Sequence, residues 1–263
     1  MSLRKTYLNV KIHWRVFMKQ NIYDNNEFFK KYEAIRAREN NYNNLLEQPN
    51  FRANIPDLHG SSVLDIGCGT GDFAAFCLSQ GAASVHGIDI SQNMITTAQE
   101  KYNDVRLTFQ QIAFEDAIMR AESIDFISSS LAFHYMADYN TIIQKISQIL
   151  RKEGVLLFST EHPIMTANKG YTDWIESDDG QVLHYAIDRY QEEGVRTQSW
   201  LVKDVLMYHR TLSTIVNTLI KNGLQIEKII EPIPSEDAVQ KLPSLAKQFR
   251  APAFLIVRAK KVE

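Results

Sequence analysis

An apolar run that ends in a glycine turn, Val63-Leu64-Asp65-Ile66-Gly67-Cys68-Gly69-Thr70-Gly71, brings backbone N–H groups and a carboxylate to one point of the chain. Glycine has no Cβ, so such a turn takes up left-handed φ values and lets a ligand approach the backbone. The helix it opens offers unpaired N–H groups in its first turn. A second apolar run, Ser84-Val85-His86-Gly87-Ile88, ends in Asp89. That acid lies about twenty residues beyond Gly69, where a carboxylate can accept both hydroxyls of a ribose. Turn and acid together select a nucleoside-bearing ligand. The glycines are spaced G-x-G-x-G, not the G-x-G-x-x-G of dinucleotide sites, and Asp65 would repel a diphosphate but suits a cationic amino-acid end. Both departures favour S-adenosylmethionine (SAM) over NAD.

At these residues the chain resembles the class I SAM-dependent methyltransferases, and the resemblance extends over roughly Tyr23 to Lys260. It implies an α/β three-layer sandwich around a seven-stranded, mostly parallel, Rossmann-like sheet whose last strand is antiparallel. It also implies that Gly67, Cys68 and Gly69, with Asp65, wrap the methionine and ribose portions of SAM, and that Asp89 and Ile90 meet the ribose. Val105 to Phe109 resembles the third strand, and Ala113, Phe114 and Glu115 lie in what looks like the adenine turn. Many members carry Asp where Gln110 or Gln111 stands, so the partner of the adenine amino group is open between this position and Glu115 or Asp116. Ile124 to Tyr135, which includes Ser130, looks like the fourth strand and the loop beside the reacting methyl group; Leu150 to Ser159 resembles a helix end, turn and fifth strand. Glu161-His162-Pro163-Ile164 and Tyr208-His209-Arg210-Thr211 resemble a bacterial subgroup, methyltransferase type 11-like.

Methyl transfer from a sulfonium is an in-line displacement, and a base is needed only when the acceptor must lose a proton. His134, in the loop after the fourth strand, is the leading candidate, since an unperturbed imidazole titrates near ~6.5; Phe133-His134-Tyr135 equally suits loop packing. His162 faces substrate or merely precedes a rigid turn at Pro163. Tyr23, Tyr135, His209 and Arg210 are the candidate substrate contacts, although Arg210 reads more readily as a structural ion pair. Tyr32 covers the sulfonium by cation–π contact or packs its helix, and Arg36 meets the methionine carboxylate or lies on a solvated face. Cys68 and Cys77 read as small packing residues.

These residues need a scaffold, and 263 residues with 44% hydrophobic and 23% charged content suffice for one sizeable core. The expected organisation is an extension at 1–20, non-native or disordered, then a single domain at 21–263 with a helical cover near 24–48 and a lid near 161–207. Glu27 to Glu47 carries an imperfect helical period that Pro49 ends, Ser91 caps a helix from Gln92, and Asp138 to Leu150 is amphipathic. The lid's Asp179-Gly180 and Glu193-Gly194 predict turns between short antiparallel strands, and its Tyr171, Trp174, Tyr185, Tyr190 and Trp200 suit a polar, partly aromatic acceptor. A helix over Thr211 to Asn222 and strands over Leu224 to Glu231 and Ala253 to Ala259 complete the domain.

A formal net charge of −2 gives no basic field for a polyanion. The expected partner is a small-molecule methyl acceptor, with no nucleic acid, membrane or metal, in a cytoplasmic monomer or homodimer. Two other readings stand beside this one: a catalytically silent SAM-binding module acting through partners, and an NAD-dependent oxidoreductase.

Overall fold

The fold was read from a computed structural model, which describes residues 19–169 and 174–262. The expected extension, apart from Lys19 and Gln20, and the lid residue Tyr171 lie outside the described residues.

The chain enters through helix α1 (Asn26–Arg36), capped by the Asn25 side chain, and reaches α2 (Gln48–Arg52) through a π-type turn over Asn43–Glu47. A single helix to Glu47 was expected; instead it breaks after Arg36. The cause is local competition for backbone groups. Asn41 donates to the carbonyls of Arg38 and Ile35 and accepts from Asn44 N at 2.8 Å, which replaces helix hydrogen bonds with side-chain ones. Pro49 starts the next helix rather than ending the last, because its missing N–H costs nothing in a first turn.

Five strands follow, with a helix between each pair except β3 and β4, which a loop joins: β1 (Ser62–Ile66), α3 (Asp72–Ser79), β2 (Ser84–Asp89), α4 (Gln92–Lys101), β3 (Leu107–Gln111), β4 (Ile124–Ser130), α5 (Tyr139–Ile149) and β5 (Leu150–Glu161). Ser91 caps α4 by accepting from Met94 N at 3.2 Å, as expected. Strand β3 starts two residues later than its apolar run suggested. Asp104 accepts from Arg106 N at 2.9 Å and closes a turn there, leaving Val105 exposed.

After the short α6 (Pro163–Thr166) come two hairpins, β6 (Trp174–Glu176) with β7 (Val182–Tyr185) and β8 (Gly194–Trp200) with β9 (Val202–His209). Asp179-Gly180 forms the first turn, with Gly180 at φ 81°. Glu193-Gly194 does not form the second: Gly194 opens β8, and the reversal falls at Leu201 with φ 60°. Strand β9 also runs two residues beyond the expected lid boundary. The buried Arg196 gathers this region by donating to the carbonyls of Ala167, Val195 and Glu192.

Helix α7 (Leu212–Lys221), strand β10 (Leu224–Ile230), helix α8 (Glu236–Lys241) and strand β11 (Phe254–Lys261) complete the chain. The sheet order is β10-β11-β5-β4-β1-β2-β3, with β11 antiparallel to both neighbours and every other pair parallel. Helices α5 and α7 bury Ile142, Ile143, Ile146 and Leu219 on one face. Phe51, Phe73 and Cys77 of α2 and α3 cover the other. Among the described residues no helix is long and apolar enough to cross a membrane.

Candidate active site

The strand order reverses direction between β1 and β4, and the crevice outside the carboxyl ends of strands at such a point is where open α/β sheets bind ligands. A cavity of about 1370 Å³ occupies that crevice. Its floor is the turn after β1. Gly67 has φ 73°, and a Cβ added there would stand 2.6 Å from Ala132 Cβ in the loop after β4, so this turn and that loop approach as only glycine permits. Gly71, at φ 80°, likewise leaves no space: its Cβ would meet the Phe109 ring at 2.5 Å.

Asp89, at the end of β2, accepts from Gly69 N at 3.0 Å and Ser91 N at 2.9 Å, which fixes its carboxylate across the turn. Burial outweighs these bonds and raises its pKa. Asp65 is only 2% exposed; burial lifts it to about 7, although Ser128 Oγ donates to it at 2.7 Å. Ala113, Phe114 and Glu115 line the cavity beyond β3. Lys145 of α5 pins their turn by donating to the carbonyls of Phe114, Glu115 and Ala117, a support that the sequence pattern did not reveal.

The N-terminal segment covers the cavity. Asp24 ties it down, accepting from Ser91 Oγ at 2.6 Å, Asn93 N at 3.1 Å and Gln92 N at 3.2 Å at the start of α4. Burial opposes the charge, yet these bonds, led by that of Ser91, hold the carboxyl below its ordinary value. Asp24 was not foreseen, because an acid that caps another helix across the fold leaves no spacing signal. Tyr23 packs edge-on to Tyr32 (5.1 Å between centroids) and Tyr135 (6.3 Å), and Tyr32 to Trp200 of the lid (6.4 Å). Arg36 reaches the cavity, and its Nη1 is buried without a hydrogen-bond partner. Of the described lid aromatics, Trp200 lines the cavity; Trp174 packs on Tyr185, and Tyr190 accepts from Leu212 N at 3.0 Å.

The cavity thus brings together all twelve expected cofactor residues, together with His134, Tyr23 and Tyr135. His162, His209 and Arg210 lie outside it. His162 caps α6 through Nδ1 and bonds Glu231 Oε1 through Nε2 at 2.9 Å. His209 is fully occupied by Thr166 Oγ1 and the Tyr190 carbonyl, each at 2.8 Å. Among the described residues Arg210 has no ion-pair partner; it donates to the carbonyls of Phe133, Met136 and Ala137 and so holds the loop that carries His134. Burial, aided by the Arg210 charge, depresses the His134 imidazole to about 3.

Glu161 at the end of β5 also lines the cavity, and burial alone lifts it to about 7. It belongs to the Glu161-His162-Pro163-Ile164 stretch, in which residue type alone points to the histidine. Among the described residues no group of His, Cys, Asp and Glu is placed to hold a metal ion.

Comparison with known proteins agrees with this geometry. The family model described as a methyltransferase domain matches residues 64–158, the β1 to β5 portion that carries the cavity floor. An uncharacterized protein of Haemophilus influenzae is 34% identical over 255 residues, 93% of this chain and 98% of its own length. The crystal structure of a putative SAM-dependent methyltransferase from Listeria monocytogenes is 37% identical, with TM-score 0.77, over 82% of this chain and 97% of that one. A SAM-dependent methyltransferase from Mesorhizobium loti is 35% identical, with TM-score 0.76, over 81% and 97%. Matched over nearly the whole of both those proteins, the chain belongs to the SAM-dependent methyltransferase family.

Proposed function

We propose that the protein transfers a methyl group from SAM to a small-molecule acceptor, with both molecules bound in the cavity at the carboxyl end of the sheet. The size of that cavity carries the reading. At about 1370 Å³ it exceeds the roughly 300–1,000 Å³ of a pocket for one drug-sized ligand, which leaves volume for a second molecule beside the cofactor.

The residues fit the donor. The carboxylate of Asp89 accepts the ribose hydroxyls, the N–H groups of the Gly67–Gly69 turn and Asp65 surround the amino-acid end, and the unpartnered Nη1 of Arg36 pairs with its carboxylate. Ile90, Ala113, Phe114 and Glu115 bracket the adenine, with Cys68 and Ser130 along the wall. When bound, SAM supplies an electrophilic methyl group on a cationic sulfur. The chain's work is to orient the acceptor and exclude water, and orientation is worth roughly 7–11 kcal/mol in the best intramolecular cases. Tyr23, Tyr32 and Trp200 close the cover, and aromatic rings favour a cation beside them. His134, uncharged far below neutrality, takes no proton at neutral pH and serves as a polar wall of the acceptor space.

The test is release of S-adenosylhomocysteine from SAM in the presence of a panel of small amines, phenols, alcohols and carboxylic acids. Acceptor-dependent release supports the reading. SAM binding with no release across the panel favours a silent binding module instead.

A further inference from the structure

Two acids that line the cavity, Glu161 and Glu115, have no side-chain hydrogen bond or ion pair among the described residues; Glu115 lies in the turn after β3, at the adenine end, and Glu161 at the end of β5, beside the loop after β4. Asp65 and Asp89 are held by hydrogen bonds from Ser128, Gly69 and Ser91, and the buried Glu47 by Ser130 and Ser159. The Glu161 carboxylate has no hydrogen-bond or ion-pair partner among the described residues, and desolvation is the sole influence on its titration. It also lines a small recess behind the loop, with His134, Thr160, Tyr208 and Arg210.

We propose, building on the methyltransferase reading, that Glu161 binds and deprotonates an amine acceptor, so that the site takes small primary or secondary amines. Three observations select nitrogen. An unpaired carboxylate attracts an ammonium and repels carboxylate or phosphate acceptors, and the Arg210 guanidinium does not line the cavity but is turned to the carbonyls of Phe133, Met136 and Ala137. Tyr23, Tyr135 and Trp200 line the same space and suit a cation. Proton transfer is also feasible in magnitude. A lysine-like ammonium ionises near ~10.4, about three units above a base at about 7, whereas water, the nearest guide for an aliphatic alcohol, lies near ~15.7, about nine units above; a phenol, near ~10, is deprotonated as readily as the ammonium and is disfavoured because it brings no positive charge to the carboxylate.

The steps balance. The ammonium R–NH3+ passes one proton to the Glu161 carboxylate, leaving R–NH2 and a neutral carboxylic acid. The nitrogen lone pair then forms the new N–C bond as the S–C bond of the donor breaks and its electron pair stays on sulfur. The products are R–NH2–CH3+ and an uncharged thioether, and the Glu161 proton returns to solvent.

The groups around Glu161 are His134 and Tyr135 from the loop after β4, Tyr208 and Arg210 from β9 and its end, Tyr23 from the cover, and His162, which is tied to Glu231. His134 stays neutral and Tyr135 is raised by burial, so neither titrates near neutrality. Asp65 titrates near Glu161, so comparison with a Glu161 variant is what separates the two.

The experiment pairs benzylamine and tyramine with benzyl alcohol and 4-ethylphenol. Thioether release is measured for the wild type, Glu161→Gln and Glu161→Asp, and SAM affinity is measured by calorimetry. The wild type is expected to methylate the amines and spare the oxygen counterparts, with kcat/KM rising through about pH 7. Glu161→Gln should keep its SAM affinity, lose at least about 100-fold in kcat/KM and lose that pH limb, with partial recovery in Glu161→Asp. Benzylamine binding to the complex with S-adenosylhomocysteine should also tighten from pH 5.5 to 8 in the wild type and not in Glu161→Gln. Methylation of the oxygen counterparts alone, undiminished amine turnover in Glu161→Gln, or pH-independent benzylamine binding overturns the assignment while leaving the methyltransferase reading intact. Failure to bind SAM overturns both.

Discussion

The Ser159 hydroxyl on β5 donates to Glu47 Oε1 at 2.5 Å, tying the carboxyl end of the central sheet to the turn that carries the N-terminal cover. Ser130 of β4 donates to the same oxygen at 2.9 Å, and Gln48 to the other at 2.8 Å. Glu47→Ala should destabilise the protein by about 2–3 kcal/mol, since it strips the buried Ser159 hydroxyl and the half-buried Ser130 hydroxyl of their acceptor and leaves a void. It should also weaken SAM binding, because the same turn positions the cover. Glu47→Gln, which keeps an acceptor oxygen, should cost less than half as much. Urea denaturation and calorimetry of the two variants check this.

Arg210 acts at a distance from the cavity, through the loop. Arg210→Ala should lower kcat by about tenfold or more, with little change in SAM affinity, because three carbonyls lose their donor and the His134 segment drifts. Arg210→Lys should rescue only part of the loss, since an ammonium does not span the same three acceptors as a guanidinium. A split of kcat from SAM Kd is the readout; an unchanged kcat would contradict this role.

The parts legible in the sequence are those with a short-range signal. The Gly67–Gly71 turn, Asp89 and the Ser91 cap each follow from residues within a few positions, and all occupy the expected places. The alternation of strands and amphipathic helices likewise announced the parallel sheet. What escaped depends on contacts across the fold. Little that is local distinguishes Asp24 from a solvated acid, since its partners other than Asn21, namely Ser91, Gln92 and Asn93, lie far along the chain. His162, a candidate base, and His209, a candidate substrate contact, have suitable residue types, but both nitrogens of each are spent on structural bonds that only tertiary packing reveals. Glu161 was passed over for the converse reason: its chemistry comes from burial without a partner, a property of the folded cavity.

The Asp24 tether should be separable from the cofactor contacts. Asp24→Ala removes the acceptor for Ser91 and for two N–H groups at the start of α4, so the cover should open more often. SAM affinity is expected to fall by about 10-fold, with faster dissociation by stopped flow, whereas Asp24→Asn should retain part of the binding. Unchanged dissociation in Asp24→Ala would argue against the tether.

The buried acids should contribute to stability with an unusual pH dependence. Asp65 and Glu161 are both lifted to about 7 by burial, above their unfolded values near ~4, so their contribution is full below about pH 4 and disappears as pH rises through about 7. Burial moves Glu47 and Asp89 in the same direction. Asp24, held low, works oppositely and loses its contribution only as acid protonates it. The imidazoles of His86, His134, His162 and His209, all held below their ordinary value, act the other way and cost stability as pH falls through about 6.5, so the readout is a difference between proteins: the melting-temperature gain of Glu161→Gln over the wild type should be larger at pH 8 than at pH 5.5. Thermal scans of both proteins at the two pH values check this.

The most direct test of the whole account is calorimetric titration of the purified protein with SAM, S-adenosylhomocysteine and NAD, repeated on Asp89→Ala. The account predicts that SAM and S-adenosylhomocysteine each bind one per chain, that NAD does not bind, and that Asp89→Ala weakens both by at least about 10-fold through loss of the ribose acceptor. Binding of NAD in place of SAM, or SAM binding indifferent to Asp89, would contradict it.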